Sequence, residues 1–339
     1  MTAAEASMNK PSGFQAWWQH TTKTRLIYTY LFPAALVMIV ITFYPLLYQV
    51  WMSFTDYGIT NIRLTAPPPN WVRFQNYLDI FTGGLAATIP NFDFWYLLGF
   101  NLFWTFSNVI IHVVVGVLIA VLLNQKGLWG KSFYRAIYVL PIIFPTLVVA
   151  TVWRNMYDPT FGAINLGLAR IGSLFGIPPE SFQIRWIDQV QHPFGGPLPL
   201  SFYALLFCNI WLGWPFMTVV ATGALQSIPA DLYEAASIDG ANAPQRFMNV
   251  TVPMIRPAMI PAAMYGLITT FNLFNLIFFV SGGGPLRQTE IMVTTAFRLV
   301  NQNRLYGMAA AFSVLTFLIL LALTLLTNQV TKATEAYDV

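Results

Sequence analysis

Charge is what this chain has least of. Asp, Glu, Lys and Arg make up 9% of its 339 residues, against roughly a quarter in a soluble domain. So few charges cannot cover a surface that faces water, and the chain reads as a polytopic membrane protein rather than a set of soluble domains. Cysteine is nearly absent too. Cys208 stands alone inside an apolar run, which excludes an intrachain disulfide and leaves no redox signal. The net charge of +4 is small and dispersed, so nothing points to nucleic acid. The first 25 residues lack the apolar core of a signal peptide. They hold Lys10, Lys23, Arg25, Trp17 and Trp18 and read as a short tail or interfacial helix, with the tryptophans at headgroup level.

Hydrophobic residues are abundant, at 56% of the chain. A spanning helix needs about 20 of them, and six segments meet that length: 27–54, 95–123, 133–156, 201–225, 257–281 and 307–329. The expected fold is an all-α transmembrane bundle of six helices. Several spans contain proline (Pro33, Pro45, Pro141, Pro145, Pro215, Pro261), which neighbouring helices make tolerable in a membrane. Gly116, Gly213, Gly223 and Ala309–Ala311 are small enough to let helices approach closely. The connections 55–94 and 157–200 are long and rich in Pro, Gly, Asn and aromatics, 124–132 is short, and 226–256 is polar and helix-prone.

Six spans put both termini on one side. That side carries Lys10, Lys23, Arg25, Lys126, Lys131, Arg135, Arg246, Arg256 and Lys332, and the positive-inside rule makes it cytoplasmic. The organisation expected is a tail at 1–26, a six-span domain at 27–330 with a polar loop at 226–256, and a second cytoplasmic tail at 331–339.

The spans also lack Asp and Glu, and His112 is the ionisable group in their interiors. Ion-coupled carriers and intramembrane hydrolases need such groups. A lone His112 reads as a helix–helix hydrogen bond. "GLWGKS" (127–132) ends like a phosphate loop, but the position that needs the first glycine is Gln125, and a spanning helix precedes it instead of a strand. Lys131 reads as a positive-inside anchor. No catalytic residue, metal site or cofactor is expected.

One polar island interrupts this apolar chain: "LYEAASIDGANAPQRFMNVTVP" (232–253). Ser227 suits a helix cap and Pro229 a first turn. Asp231 and Glu234 sit where the helix dipole favours anions. Leu232, Ala235, Ala236 and Asp239 share one face, and Gly240 suits the left-handed stop. A second short helix is expected from Pro244 to Val250, bounded by Pro253 and Pro257. The result is a helix–turn–helix elbow, with acids on its first helix and Arg246 on its second. A helix lying on lipid usually carries several Lys or Arg, so the elbow reads as a surface for a protein partner.

Glu234-Ala235-Ala236, Gly240, Val250 and Val252-Pro253 resemble the EAA motif of permease subunits of binding-protein-dependent ABC importers, with valines in place of Ile and Leu. "NIWLGWPFMTVVATGALQSIPADLYEAASIDGA" (209–241), "FNLFNLIFFVSGGGP" (271–285) and "GMAAAFSVLTFLILLALTLL" resemble the carbohydrate-uptake branch, in particular the F-type maltose and maltodextrin permeases. The likeness spans most of 27–330, and this chain lacks the two extra spans and large external domain of the enterobacterial maltose permease. The resemblance implies a MetI-like type I importer fold. It implies that Leu232, Glu234, Ala235, Ala236, Asp239 and Gly240 form the coupling surface for an ATPase subunit, which binds the ATP. The implied partners are a second, homologous permease, two ATPase subunits and an extracytoplasmic sugar-binding protein, all at the cytoplasmic membrane and its lipid.

An oligosaccharide site needs hydrogen-bonding and aromatic side chains without charge. Thr269, Asn272 and Asn275 recur every three residues and are expected on one helical face. Positions matching Asn209, Leu212, Gly213 and Phe216 line the sugar site in the permeases this chain resembles, although an aromatic hydroxyl is often found at the position of Phe216. Trp211 and Trp214 read as packing or lipid-facing residues. The rival cargo is glycerol-3-phosphate or another polyol, and phosphate would require Arg or Lys near the cavity. Two other classes are a lipid-linked sugar transferase using Asp93 and Asp158, and a secondary carrier.

Overall fold

The computed structural model describes residues 26, 28–63, 65–125, 127–190 and 196–331. The expectations for the N-terminal tail, for Lys126 and for the tail from Lys332 onward lie outside the described residues. In hydrocarbon every backbone N–H and C=O needs an internal partner, and helices supply it throughout. Among the described residues there is no strand, only an isolated antiparallel bridge between Thr55 and Trp71. The helices are α1 (Tyr28–Met52), α2 (Gln75–Thr82), α3 (Phe94–Asn124), α4 (Lys131–Ile143), α5 (Thr146–Met156) and α6 (Ala163–Ser173). There follow α7 (Leu200–Gln226), α8 (Ala230–Ile238), α9 (Ala243–Phe271) and α10 (Phe274–Val280), α11 (Met292–Asn301) and α12 (Tyr306–Thr331).

Four of these, α1, α3, α7 and α12, are long and apolar enough to cross a membrane alone. The other two expected spans are broken: α4 and α5 meet at 97°, and α9 and α10 at 42°. The first break follows from Pro145. Phe144, just before it, takes an extended conformation with ψ 132°, as the residue preceding a proline prefers. The second lies at Asn272 and Leu273, whose ψ angles of 23° and 65° leave the helical region.

α3 is the mast of the bundle. Its Phe100 and Trp104 join one core with α5, α7 and α10. Phe94 and Leu97 join a second with α2, α11 and α12, and Val117 and Ala120 a third with α7 and α9. Its closest neighbour is α7. A Cβ on Gly116 would lie 2.5 Å from Met217 Cβ and 3.0 Å from the Thr218 nitrogen. The missing side chain brings the backbones close enough for the Thr218 hydroxyl to donate to the Gly116 oxygen at 3.2 Å. Ala309, Ala310 and Ala311 are buried as expected. Gly223 is not a close-approach site, because a Cβ there would meet nothing within 4 Å. α1 leaves most of its apolar surface uncovered. Its C-terminal half packs against α12, where Tyr44, Tyr48 and Met52 face Ala309 and Ser313 across a groove.

Charge is confined to the ends of the spans. Beyond α10, the buried Glu290 carboxylate pairs with Arg287 (Nε to Oε2, 3.0 Å) and with Arg298 (Nε to Oε1, 2.6 Å). The Thr295 hydroxyl donates to it at 3.0 Å, and Arg298 also donates to the Gly282 oxygen. These bonds tie "SGGGP" to α11.

The seam makes a firm demand at position 116. Gly116→Val should force α3 away from α7 and cost about 1–3 kcal/mol. The expected readout is a lower melting temperature of the purified protein, with insertion into the membrane retained. An unchanged melting temperature would show that the seam tolerates a side chain.

Candidate functional site

Two places concentrate polar side chains inside or beside the apolar bundle. The first is a cavity of about 320 Å³ enclosed by α3, the α4–α5 bend, α7 and α9. Of the expected substrate residues, Asn209, Leu212, Gly213, Phe216 and Thr269 line it. Asn272 and Asn275 do not. The shared face assumed a continuous helix, but the chain breaks at Asn272. Both asparagines are exposed outside the cavity, and Asn272 Nδ2 turns back to the Ile268 oxygen at 3.2 Å. Their places are taken by Gly266, Thr270 and Leu273.

The cavity gains residues that sequence reasoning passed over. Tyr265 lines it with its ring centroid 5.5 Å from that of Phe216. An aromatic hydroxyl is thus present, supplied by α9 and not by position 216. It lies four residues before Thr269, so helical spacing could have found it. Pro141, Ile142, Phe144 and Thr146 from the bend form another wall. Here the 97° break brings the end of α4 and the start of α5 to the cavity together. His112 is the third addition.

A ladder of amides along α3 positions this wall. Asn101 Nδ2 donates to the Phe271 oxygen at 3.2 Å, and its Oδ1 accepts from the Met292 nitrogen at 2.8 Å. About two and three turns further, Asn108 Oδ1 accepts from Asn209 Nδ2 at 2.7 Å, and His112 Nε2 lies 2.9 Å from the Asn209 backbone oxygen. The expected helix–helix role of His112 is therefore what the structure holds. Gly213 makes it possible: a Cβ there would lie within 2.5 Å of His112 Nε2 and closer still to Cε1 and Nδ1. No Asp, Glu, Lys or Arg lines the cavity. The Trp214 ring lies tilted against Tyr138 at 6.0 Å and Trp211 edge-on to Trp153 at 6.4 Å, which is packing, as expected.

The second place is the elbow. α8 runs Ala230–Ile238 and buries none of its residues. Gly240 is left-handed at φ 79°, the stop its position called for. Asp231 lies in the first turn. Two expectations need correcting. Ser227 does not cap α8: its hydroxyl donates back to the Ala224 oxygen at 2.8 Å, and Pro229 occupies the cap. Nor does a short helix end at Pro253. Asn242 and Gln245 cap one another reciprocally, and the helix then continues to Phe271. A π turn at Phe247–Thr251 precedes Pro253, whose ring would otherwise clash with the preceding turn.

The elbow holds its own shape. Arg246 Nη1 donates to Ser237 Oγ at 2.6 Å, and the Tyr233 and Thr251 hydroxyls lie 2.9 Å apart. Leu232, Glu234, Ala235 and Asp239 are exposed, and Ala236 is half-buried. Among the described residues Asp231, Glu234 and Asp239 form no ion pair. The surface is thus folded, acidic and uncovered.

The two carboxylates weighed for transferase chemistry are caps. Asp93 Oδ1 accepts from the Trp95 and Tyr96 nitrogens at 2.8 and 3.0 Å, starting α3. Asp158 accepts from Thr160 and Phe161 at 2.8 and 2.7 Å. Those two backbone bonds, Phe161 first, hold its pKa below the usual carboxylate value. A cap committed to backbone amides is a poor proton carrier.

Comparison with known proteins gives a consistent picture. The family model described as "Binding-protein-dependent transport system inner membrane component" matches residues 112–336. The chain is 31% identical to the galactooligosaccharides transport system permease protein GanP of Bacillus subtilis, over 96% of this chain and 75% of that one. It is 31% identical to the trehalose/maltose transport system permease protein MalF of Thermococcus litoralis, over 89% and 92% respectively. Among solved structures, a bacterial ABC transporter involved in the import of the acidic polysaccharide alginate matches with a TM-score of 0.71 at 19% identity, covering 94% of this chain and 98% of that one. That likeness is one of fold.

The Gly213–His112 contact can be isolated by a double-mutant cycle. Gly213→Ala should expel the imidazole and break its bond to Asn209, costing about 1–3 kcal/mol. In a His112→Ala background the same change should cost far less, because the clash is gone. Additive losses in melting temperature would show that the two residues do not meet.

Proposed function

Because the chain belongs to the family of binding-protein-dependent transport system inner membrane components, we propose that its central cavity passes a neutral oligosaccharide of the maltodextrin kind across the cytoplasmic membrane. The chain is a transport subunit and not an enzyme; ATP hydrolysis belongs to a separate subunit of the importer. The observation that carries the cargo reading is the cavity itself. It offers amide, hydroxyl, imidazole and aromatic groups from four elements, with no charged side chain among them. Sugar hydroxyls are matched by such groups, and the similarity to the galactooligosaccharides permease GanP and the trehalose/maltose permease MalF supports the same reading. Glycerol-3-phosphate would leave its phosphate without a cation in a low-dielectric site. Asn209, Leu212, Gly213, Phe216 and Thr269 are the proposed contacts, joined by Tyr265.

The elbow at 226–256 is the proposed seat of the ATPase. It faces the cytosol in this reading, and with it both termini. Leu232, Glu234, Ala235, Ala236, Asp239 and Gly240 form the docking face. Two ATPase subunits, a second homologous permease and an extracytoplasmic sugar-binding protein complete the importer. The uncovered apolar surface of α1 is available to lipid or to the second permease.

Reconstituted with its second permease, its ATPase and its binding protein, the chain should import a neutral oligosaccharide such as maltotriose only when ATP is present. Uptake that persists without the ATPase would overturn this reading in favour of a secondary carrier. Glu234→Lys and Gly240→Pro should each release the ATPase from the purified complex while the permease stays in the membrane. Proline cannot adopt the positive φ found at 240. Wild-type transport by both variants would remove the elbow from the mechanism.

A further inference from the structure

His112 has a second nitrogen, and the helix–helix bond does not use it. Nε2 faces the backbone oxygen of Asn209 at 2.9 Å. A carbonyl only accepts, so Nε2 carries the proton. The ring is nine-tenths buried or more, at 3% exposure, and no carboxylate lines the cavity to balance a second proton. The imidazole is therefore neutral, and Nδ1 is left as an acceptor.

Nδ1 has no hydrogen-bond partner among the described residues. It is also not one of the fully buried, unpartnered polar atoms of the bundle. An unpartnered nitrogen on a buried ring that is not itself sealed off opens onto the space its residue lines, and that space is the central cavity. The ring cannot turn away easily. The bare backbone at Gly213 lies against its Cε1, Nδ1 and Nε2, and Asn209 is itself held by Asn108 at 2.7 Å.

The chemistry of the neighbouring groups runs the same way. The Thr269 hydroxyl is within donating distance of the Tyr265 and Gly266 oxygens, at 3.0 and 3.1 Å. Its hydrogen is committed to the backbone, which leaves its oxygen as an acceptor toward the cavity. Two of the polar groups on facing walls thus await a hydrogen from the cargo.

We propose that Nδ1 of His112 accepts a hydrogen bond from a hydroxyl of the transported sugar, with Asn209 and Gly213 fixing the ring for that contact. This rests on the reading of the cavity as an oligosaccharide route. It adds a specificity element on α3, a helix that contributes no residue to the sugar contacts proposed above. A carboxylate has no hydrogen to offer at neutral pH and a phosphate monoester is mostly without one, so the same nitrogen favours a hydroxyl over an anionic group in that position.

The test uses the complete permease–ATPase complex and radiolabelled maltotriose. His112→Gln keeps a donor for the Asn209 oxygen and empties the Nδ1 position, because with its amide nitrogen on that oxygen the amide Oε1 projects from the opposite edge of the former ring. It should weaken maltotriose binding about tenfold, the loss expected for one hydrogen bond of about 1.4 kcal/mol, without lowering the melting temperature. Among mono-deoxy maltotrioses, one should bind the wild-type complex about tenfold more weakly, yet bind wild type and His112→Gln alike. Wild-type affinity in a normally stable His112→Gln complex would overturn the contact and leave His112 structural. If that variant fails to fold, the ¹⁵N resonance of His112 Nδ1 in the wild-type complex decides. A shift on saturation with maltotriose supports the proposal, and a resonance that does not move overturns it. A wild-type complex that binds no neutral oligosaccharide would overturn the cavity reading itself, a result distinct from loss of the His112 contact alone.

Discussion

The structure depends on how closely α3 and α7 approach. Two glycines, one on each helix, remove the side chains that would hold them apart: Gly116 admits Met217 and Thr218, and Gly213 admits the ring of His112. With the backbones in contact, polar groups that hydrocarbon would otherwise penalise find partners across the seam. Asn108, Asn209 and His112 are satisfied in this way. Beside that seam, α9 and the α4–α5 bend close around the cavity, which His112 of α3 also lines. A wider seam would strand the amides and spread the cavity wall together.

Charge is distributed by the same logic. Where carboxylates occur in or near the bundle they are spent on structure. Asp93 and Asp158 cap backbone turns, and Glu290 is gripped by two arginines and a threonine beyond α10. The exposed acids of α8 form no ion pair among the described residues. The molecule thus separates an uncharged interior, suited to a hydroxylated cargo, from a charged outer face suited to another protein.

How much of this was legible in the sequence varies by element. The six apolar runs were plain, because length and composition alone decide whether a segment crosses a bilayer. The elbow was plain because polar residues stand out in an apolar chain, and Gly240 marked its turn. The breaks within spans were harder. Phe144–Pro145 carried a local signal, since a proline biases its predecessor to extended backbone, but the size of the bend is set by packing. The break at Asn272 carries no comparable signal, so a three-residue spacing that presumes a continuous helix does not bring Asn272 and Asn275 to the cavity beside Thr269. Pro253 and Pro257 suggest boundaries, yet the helix runs through both, with a π turn just before Pro253. His112 was read correctly as a helix–helix bond, but its place in the cavity depends on Gly213, which is distant in sequence. Asn209, Leu212, Gly213 and Phe216 came from resemblance, and the fold brings them together.

The uninterrupted course of α9 has a mechanical consequence. At 1.5 Å per residue it is a rod about 40 Å long. One end is rooted in the acidic elbow, and the other carries Tyr265, Gly266 and Thr269 into the cavity wall. A stiff rod does not absorb a push along its length. A tilt of only about 5° imposed at Asn242 would sweep the far end through roughly 3 Å, comparable to the width of a sugar hydroxyl's hydrogen bond. Whatever displaces the elbow therefore reshapes the space around the cargo, and the places where the rod can yield are the π turn at Phe247–Thr251 and the prolines at 257 and 261.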